Sequence, residues 1–352
     1  MCTHDDVIEE AMASTTLPCL AFPSEHGYML FSLAETRVLN NGGAPPAVPP
    51  VLGRRLIPSP YGGTVLATDV CYNHPCHLID PFTGDRSPPL PDLPVPFSER
   101  EPVDHHPADD DAPLHRCRTA ARATDDGLSW DWSPRGVMVA RGDTAFFLLA
   151  HGGAAAAGEK WQPVHQAARG SPMSVNYRAG RFFLLELRSL VTTVLDAATI
   201  PPPPAGLRGV EAAYLAPCDG GGAILLVRHR SDNGGAQLFT EAYRMRSGGK
   251  APRWARARDV GERAVFVDGA HAFTVAAGGG ALANHVCVVL ADEVERAGGH
   301  VDVAYDVGVV DVARPERMGR MRLDVAEVER VWGHPHWIMR RDGPGIQACM
   351  SE

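Results

Sequence analysis

Four side chains able to hold a soft metal crowd into seven residues: Cys71, His74, Cys76 and His77. A structural zinc site draws two well-separated ligand pairs that together close a tetrahedron, and no second pair of that form occurs in the chain. On a strand, Cys76 and His77 point to opposite faces, which parts them further. His105 and His106 stand beside Asp104 and the run Asp109–Asp111, in a stretch (Glu99–Pro113) that has nothing to bury and reads as an exposed loop. His334, Pro335 and His336 offer another imidazole pair between Trp332 and Trp337, but a proline among aromatic residues more simply gives an extended, packed closing segment.

Gly153–Gly158 followed by Glu159 and Lys160 has the outline of a phosphate-binding loop. That loop needs a lysine directly after its second glycine and then a hydroxyl for magnesium. Glu159 puts negative charge where a phosphate would sit and Trp161 replaces the hydroxyl, so Gly152–Glu159 reads as an alanine- and glycine-rich loop. Neither G-x-S-x-G nor H-E-x-x-H occurs. Cys349–Glu352 lacks the usual last residue of a prenylation signal and has no basic run before it. The sequence thus nominates no catalytic, cofactor-binding or metal-ligating residue and implies no cofactor.

Whatever these residues do, short strands must position them. Apolar residues come in blocks of four to seven broken by Gly, Pro, Asn and Asp, the pattern of strands and turns. Strands are expected at Gly27–Leu33, Gly63–Val70, His77–Ile79, Gly136–Arg141, Ala145–Ala150, Arg181–Glu186 and Leu190–Asp196. More follow at Ala212–Ala216, Ala223–Arg230, Gln237–Arg246, Ala264–Val267, Ala272–Ala276, His285–Leu290, Val301–Tyr305 and Val307–Asp311. Only Val7–Ala13 and Asp324–Val331 carry helical spacing. Strands without helical crossovers exclude a parallel α/β sheet. At about 40 to 50 residues per blade, the chain suits one all-β propeller of six or seven four-stranded blades over residues 17–340, with tails at 1–16 and 341–352 and a short helix near the C-terminus. The proline clusters Pro58–Pro60, Pro88–Pro96 and Pro201–Pro204 are expected outside the sheets, in the connections or at the outermost edge of a blade, because proline cannot donate to a ladder.

The totals bound the function. Among 352 residues, 33 Lys and Arg face 42 Asp and Glu, and the formal charge of -9 repels nucleic acid and anionic membranes. Arg253, Arg256, Arg258 and Arg263, interspersed with Asp259 and Glu262, read as a solvated strand edge rather than a binding stripe. Eight cysteines without C-x-x-C pairs or a secretory leader, and no glycosylation sequon, suit reduced thiols in the cytoplasm or nucleus. No apolar run approaches the roughly 20 residues needed to span a bilayer, and the acidic start of the chain lacks the character of a transit peptide.

Several phrases, taken in order, resemble the plant KIB-type β-propeller family, whose members often carry an amino-terminal F-box. His77-Leu-Ile-Asp-Pro-Phe-Thr-Gly-Asp85 followed by Ser87-Pro-Pro-Leu-Pro-Asp-Leu93 is similar to its aspartate-proline-x-threonine-glycine turn before leucine-proline. Val175–Phe183 resembles its strand, glycine turn and aromatic strand, with Gly180 permitting the reversal and Phe182 and Phe183 straddling the sheet. Trp254, Asp259–Phe266 and Asn284–Val288 resemble a third series, and Asp306–Val312 and His334–Ile338 the late strand and the closing phrase. The departures are Cys287 and Val288 where aromatic residues are usual, and Met339-Arg340-Arg341 in place of a proline-bearing end. Only sixteen residues precede Leu17, fewer than the roughly 40 to 50 an F-box needs for its helices, which speaks against docking on a Skp-type adaptor.

The resemblance implies a non-catalytic protein-interaction propeller, similar to the substrate-recognition part of a ubiquitin-ligase subunit, with a protein partner gripped by loops. Two alternatives stand beside it: a propeller enzyme, which would show inward-facing Asp, Glu or His at one channel mouth, and a degenerate copy without retained function.

Overall fold

The structure, a computed structural model, describes residues 17–24, 27–33, 37–38, 54–59, 63–69, 76–80, 84–92, 128–149, 160–204, 209–218, 222–229, 241–246, 251–268, 271–277, 282–296, 300–323 and 335–339. Among these residues the only helical element is a single 3-10 turn, Ala168–Gly170. The rest of the regular structure is strand.

Six sheets follow one another along the chain. The first has β1 (Cys19–Ser24), β2 (Gly27–Ser32) and β3 (Arg37–Val38) as an antiparallel meander. The second has β4 (Arg54–Pro58), β5 (Val65–Asp69) and β6 (His77–Ile79), extended by bridges from Cys76 to Leu90 and from Ile79 to Arg86. Four-stranded meanders follow. The third blade comprises β7 (Leu128–Ser133), β8 (Gly136–Arg141), β9 (Thr144–Leu149) and β10 (Gln162–Gln166). The fourth comprises β11 (Met173–Arg178), β12 (Arg181–Glu186), β13 (Thr192–Val194) and β14 (Ala198–Ile200). The fifth comprises β15 (Val210–Pro217), β16 (Ala223–His229), β17 (Glu241–Arg246) and β18 (Arg253–Ala257).

The sixth blade departs from the meander. It contains β19 (Arg263–Val267), β20 (Ala272–Ala276), β21 (His285–Arg296), β22 (His300–Asp311) and β23 (Arg314–Arg322) in the order β20-β19-β21-β22-β23. The chain enters at the second position, turns back to make the innermost strand, and crosses over so that β19 and β21 run parallel. Finally β24 (His336–Ile338) pairs antiparallel with β1, matching Cys19 with Ile338 and Leu20 with Trp337. The first blade is therefore built from both ends of the described chain, and the ring closes.

Six apolar clusters fill the six seams between consecutive blades. The period-2 alternation of strands divides each blade between its two neighbours: Phe182 packs with the third blade's Met138 and Ala140, whereas Phe183 packs with the fifth blade's Leu215 and Leu225. At the closing seam Leu20, Phe22 and Trp337 of the first blade meet Phe266, Phe273, Tyr305 and Val307 of the sixth. Trp337 lies edge-on to Phe266 at 5.1 Å between ring centres and donates its indole N–H to the Val267 carbonyl at 2.9 Å.

The all-β propeller expected from the sequence is present, with six blades. Four strands, His77–Ile79, Gly136–Arg141, Arg181–Glu186 and Ala272–Ala276, have the expected bounds. Leu190–Asp196 shrinks to Thr192–Val194, because Leu190 and Asp196 take left-handed φ values of 55° and 59° and belong to turns. Val301–Tyr305 and Val307–Asp311 fuse into β22, in which Asp306 stays in register opposite Leu290 and Arg322. Pro58 is not outside the sheet but ends β4, opposite Val65. The expected helices at Val7–Ala13 and Asp324–Val331 lie outside the described residues.

Two stability changes follow. Trp337→Ala removes a wholly buried indole from the closing seam and should lower the unfolding free energy by about 3–5 kcal/mol in urea titration. The two-residue turn between β11 and β12 places Ala179 at φ 50° and Gly180 at φ 79°, the geometry that favours Asn-Gly. Ala179→Asn should raise stability by about 0.5–1 kcal/mol in the same assay.

Candidate functional site

The innermost strand of a blade has a ladder neighbour on one side only, so its other edge must find different partners. Here side chains of the adjoining blade supply them. Ser129 Oγ accepts the Val175 N–H at 2.9 Å, and Asp131 Oδ2 accepts the Tyr177 N–H at 2.6 Å, so two side chains of β7 hold alternate amides of β11. On the opposite face of β7, Trp130 donates its indole N–H to the Ile57 carbonyl of β4 at 2.8 Å. Asp131 Oδ1 also accepts the Trp132 N–H at 2.9 Å and the Ser59 hydroxyl. One carboxylate thereby links the second, third and fourth blades.

A second acid does the same across the ring. Asp268, in the turn between β19 and β20, accepts the His271 N–H at 3.1 Å through Oδ1 and the Trp337 N–H at 3.2 Å through Oδ2. It thus ties the sixth blade to the first as Asp131 ties the third to the fourth. Two imidazoles flank it: His271 Nδ1 is 3.5 Å from Oδ1 and His336 Nδ1 is 3.6 Å from Oδ2. These are ion-pair rather than hydrogen-bond separations, and neither ring nitrogen of His271 has a hydrogen-bond partner among the described residues.

The two centres feel each other. Burial pushes the Asp131 carboxyl up from 3.8 to about 7, against the hydrogen bonds from Ser59, Tyr177 and Trp132 and the charge of His271. Burial also opposes ionisation of Asp268, but there the two imidazoles outweigh it and hold the carboxyl well below the usual range. Burial, reinforced by the charge of Asp268, pushes the Tyr214 phenol of β15 upward as well. Asp131, Asp268, His271, His336 and Tyr214 thus bring polar side chains from four of the six blades, and Ser59 adds a fifth.

The sequence singled out only His336 of this group, and only as packing. Asp131 was hidden between two tryptophans in a strand, and Asp268 and His271 in an ordinary V-D-G-A-H turn; a lone acid inside an apolar strand was the available signal. Cys76 packs with Leu66 and Leu78 while His77 turns the other way, its Nδ1 3.1 Å from the Ser87 carbonyl, so the two share no metal. Cys71, His74, the acidic loop at 99–113, the glycine-rich loop at 152–159, His334 and Cys349–Glu352 lie outside the described residues. No group of three or more metal-ligating side chains is assembled among the described residues. Ser189 donates to Glu186 at 2.5 Å and not to His165, which stands 3.7 Å from the same carboxylate. A Ser–His nucleophile pair is therefore not formed there.

A family profile described as KIB1-4 beta-propeller matches residues 30–311. The chain belongs to the KIB1-4 β-propeller family. No curated protein matches the sequence. Among solved structures, "Dihydro-heme d1 dehydrogenase NirN in complex with DHE" is similar along 91% of this chain and 74% of that one, at 10% identity and a TM-score of 0.38, too slight a likeness to build on.

The phrases that carry the KIB resemblance have structural roles here. In the first, Gly84 at φ 77° donates to the Asp80 carbonyl at 2.8 Å, and Ser87 Oγ accepts the Leu78 N–H at 2.9 Å. In the third, Asn284 at φ 64° accepts the Val260 N–H at 2.8 Å and reaches Asp311 at 3.4 Å, tying the entries of β19 and β21 to the end of β22. Cys287, standing where the family usually has an aromatic residue, is buried, and burial pushes its thiol up to about 12. It should resist iodoacetamide in the native protein at pH 8 and react on unfolding.

Asp131 makes a signed prediction. A carboxyl whose value rises from 3.8 to about 7 on folding binds a proton that the unfolded chain has released. Its contribution to stability is full at and below the unfolded value and is lost as pH rises through about 7. Urea titrations of the wild type minus those of Asp131→Asn should therefore show a difference that shrinks between about pH 4 and pH 7 and levels off above it. The variant should also be less stable at neutral pH by about 1–3 kcal/mol, because its amide cannot accept every bond the carboxylate accepts.

Proposed function

We propose that this KIB1-4 propeller is a non-catalytic protein-binding module, similar to the substrate-recognition part of F-box ubiquitin-ligase subunits, that holds a protein partner with its surface loops and blade edges. The observation that supports this reading is the use made of the interior acids. Asp131 and Asp268 each spend their carboxylate on backbone amides of the next blade, so the groups an enzyme would need as base or nucleophile are committed to holding blades together. The enzyme reading draws on the same cluster, since an acid, two imidazoles and a phenol do gather in the interior. What favours binding is that the two carboxylates bond chiefly to main-chain amides.

Eight cysteines without C-x-x-C pairs support a place in the cytoplasm or nucleus, and the family resemblance supports a plant source. No helix among the described residues is long and apolar enough to cross a membrane. The test is affinity purification of the tagged full chain from plant tissue under proteasome inhibition. A stoichiometric protein partner is expected, retained equally by His271→Ala because that residue belongs to the interior rather than the binding surface. Adaptor and cullin in the eluate would add a ligase role, and a partner without them would make the protein a stand-alone binder. Recovery of no stoichiometric partner would overturn the reading.

A further inference from the structure

The two outer strands of the fifth blade carry charge opposite to the rest of the chain. Residues 241–263 hold seven cationic side chains, Arg244, Arg246, Lys250, Arg253, Arg256, Arg258 and Arg263, against the three acids Glu241, Asp259 and Glu262, in a protein of net charge -9. The pairing register sorts the strand arginines by face. Arg246 lies directly opposite Arg253 and Arg244 opposite Ala255, so Arg244, Arg246 and Arg253 share one face, while Arg256, opposite Tyr243, points to the other. All three on the shared face are exposed, and among the described residues none has a carboxylate partner. Arg256 by contrast is 3.5 Å from Glu241.

This arrangement is unfavourable by itself. Like charges directly opposed across an antiparallel pair repel, and Arg246 and Arg253 have no anion between them. Among the described residues β18 is also the outermost strand of its sheet, paired with β17 alone, an edge of the kind that accepts an extended peptide. A strand added there places alternate side chains against Arg253 on one face and against Arg256 on the other, with Arg246 one strand further in behind Arg253.

From this geometry we propose that the β18 edge of the fifth blade docks an extended acidic segment of a protein partner as an added strand, with a carboxylate beside Arg253, whose positive field Arg246 reinforces from the next strand. The proposal rests on the protein-binding reading and names the chemistry of the partner. A peptide fits better than a long polyanion, because the patch is two strands wide and the surrounding chain, more negative still, repels duplex nucleic acid and anionic membrane.

The test is fluorescence anisotropy of the full chain with a labelled peptide alternating glutamate and valine, beside its glutamine counterpart, a short DNA duplex and phosphatidylserine vesicles. The glutamate peptide should bind, the glutamine peptide should not, and Arg246→Glu should weaken binding about tenfold or more. Its thermal midpoint should be unchanged or raised, since an opposite-charge pair replaces a like-charge one, and this separates lost binding from lost folding. Failure of the glutamate peptide to bind, equal binding of both peptides, or tighter binding of DNA or vesicles would each overturn the proposal. So would self-association in light scattering that Arg246→Glu abolishes. If the wild type and Arg246→Glu capture the same stoichiometric partner while the peptide does not bind, this edge is wrong but the protein-binding reading stands. If neither partner nor peptide binds, both fall.

Discussion

The main-chain groups along the free edge of each innermost strand govern the centre of this protein. A sheet packed radially around an axis leaves one edge of every blade facing its neighbours' inner strands, where amides and carbonyls are shielded from water and must still be satisfied. Here a small set of side chains meets that need: Ser129 and Asp131 toward the fourth blade, Trp130 toward the second, and Asp268 and Trp337 across the closing seam. The acids tolerate burial because each accepts more than one backbone N–H.

The repetition of the device in two blades is informative. Asp131 joins the third blade to the fourth and Asp268 the sixth to the first, and a tryptophan indole in each neighbourhood donates to a carbonyl of the preceding blade, Trp130 to Ile57 and Trp337 to Val267. The environments differ in what surrounds the carboxylate. His271 and His336 flank Asp268, whereas Asp131 has hydrogen bonds from Ser59 and two amides with His271 acting only at a distance. Similar bonding with different neighbours drives the two carboxyls in opposite directions.

Much of the fold could be read from residue order, and the reason is physical. Short alternating blocks separated by Gly, Asp and Pro specify strands locally, so β8, β12 and β20 have the bounds that their apolar runs imply. Edge strands such as β10 (Gln-Pro-Val-His-Gln) and β18 (Arg-Trp-Ala-Arg-Ala) were harder to see, because with little buried surface they carry little hydrophobic pattern. The parallel pairing of β19 with β21 left no local mark at all, since it depends on which strand reaches the axis first. The interior polar side chains were invisible for a related reason: Asp131, Asp268, His271 and His336 lie up to 205 positions apart in the sequence and face the interior only once the ring exists. Phe182 and Phe183, by contrast, announce their division between two seams through strand alternation alone.

The pairing of β24 with β1 fixes an order of events during synthesis. Residues 19–24 leave the ribosome early, yet their hydrogen-bonded neighbour, residues 336–338, is nearly the last segment described. Until it arrives, β1 presents an unmatched edge and half of the closing seam lies open, so the nascent chain is a row of blades without a circle. Contacts of such long sequence separation form slowly. The exposed early edge is where a chaperone, or a second growing copy offering its own late strand, would compete with residues 336–338.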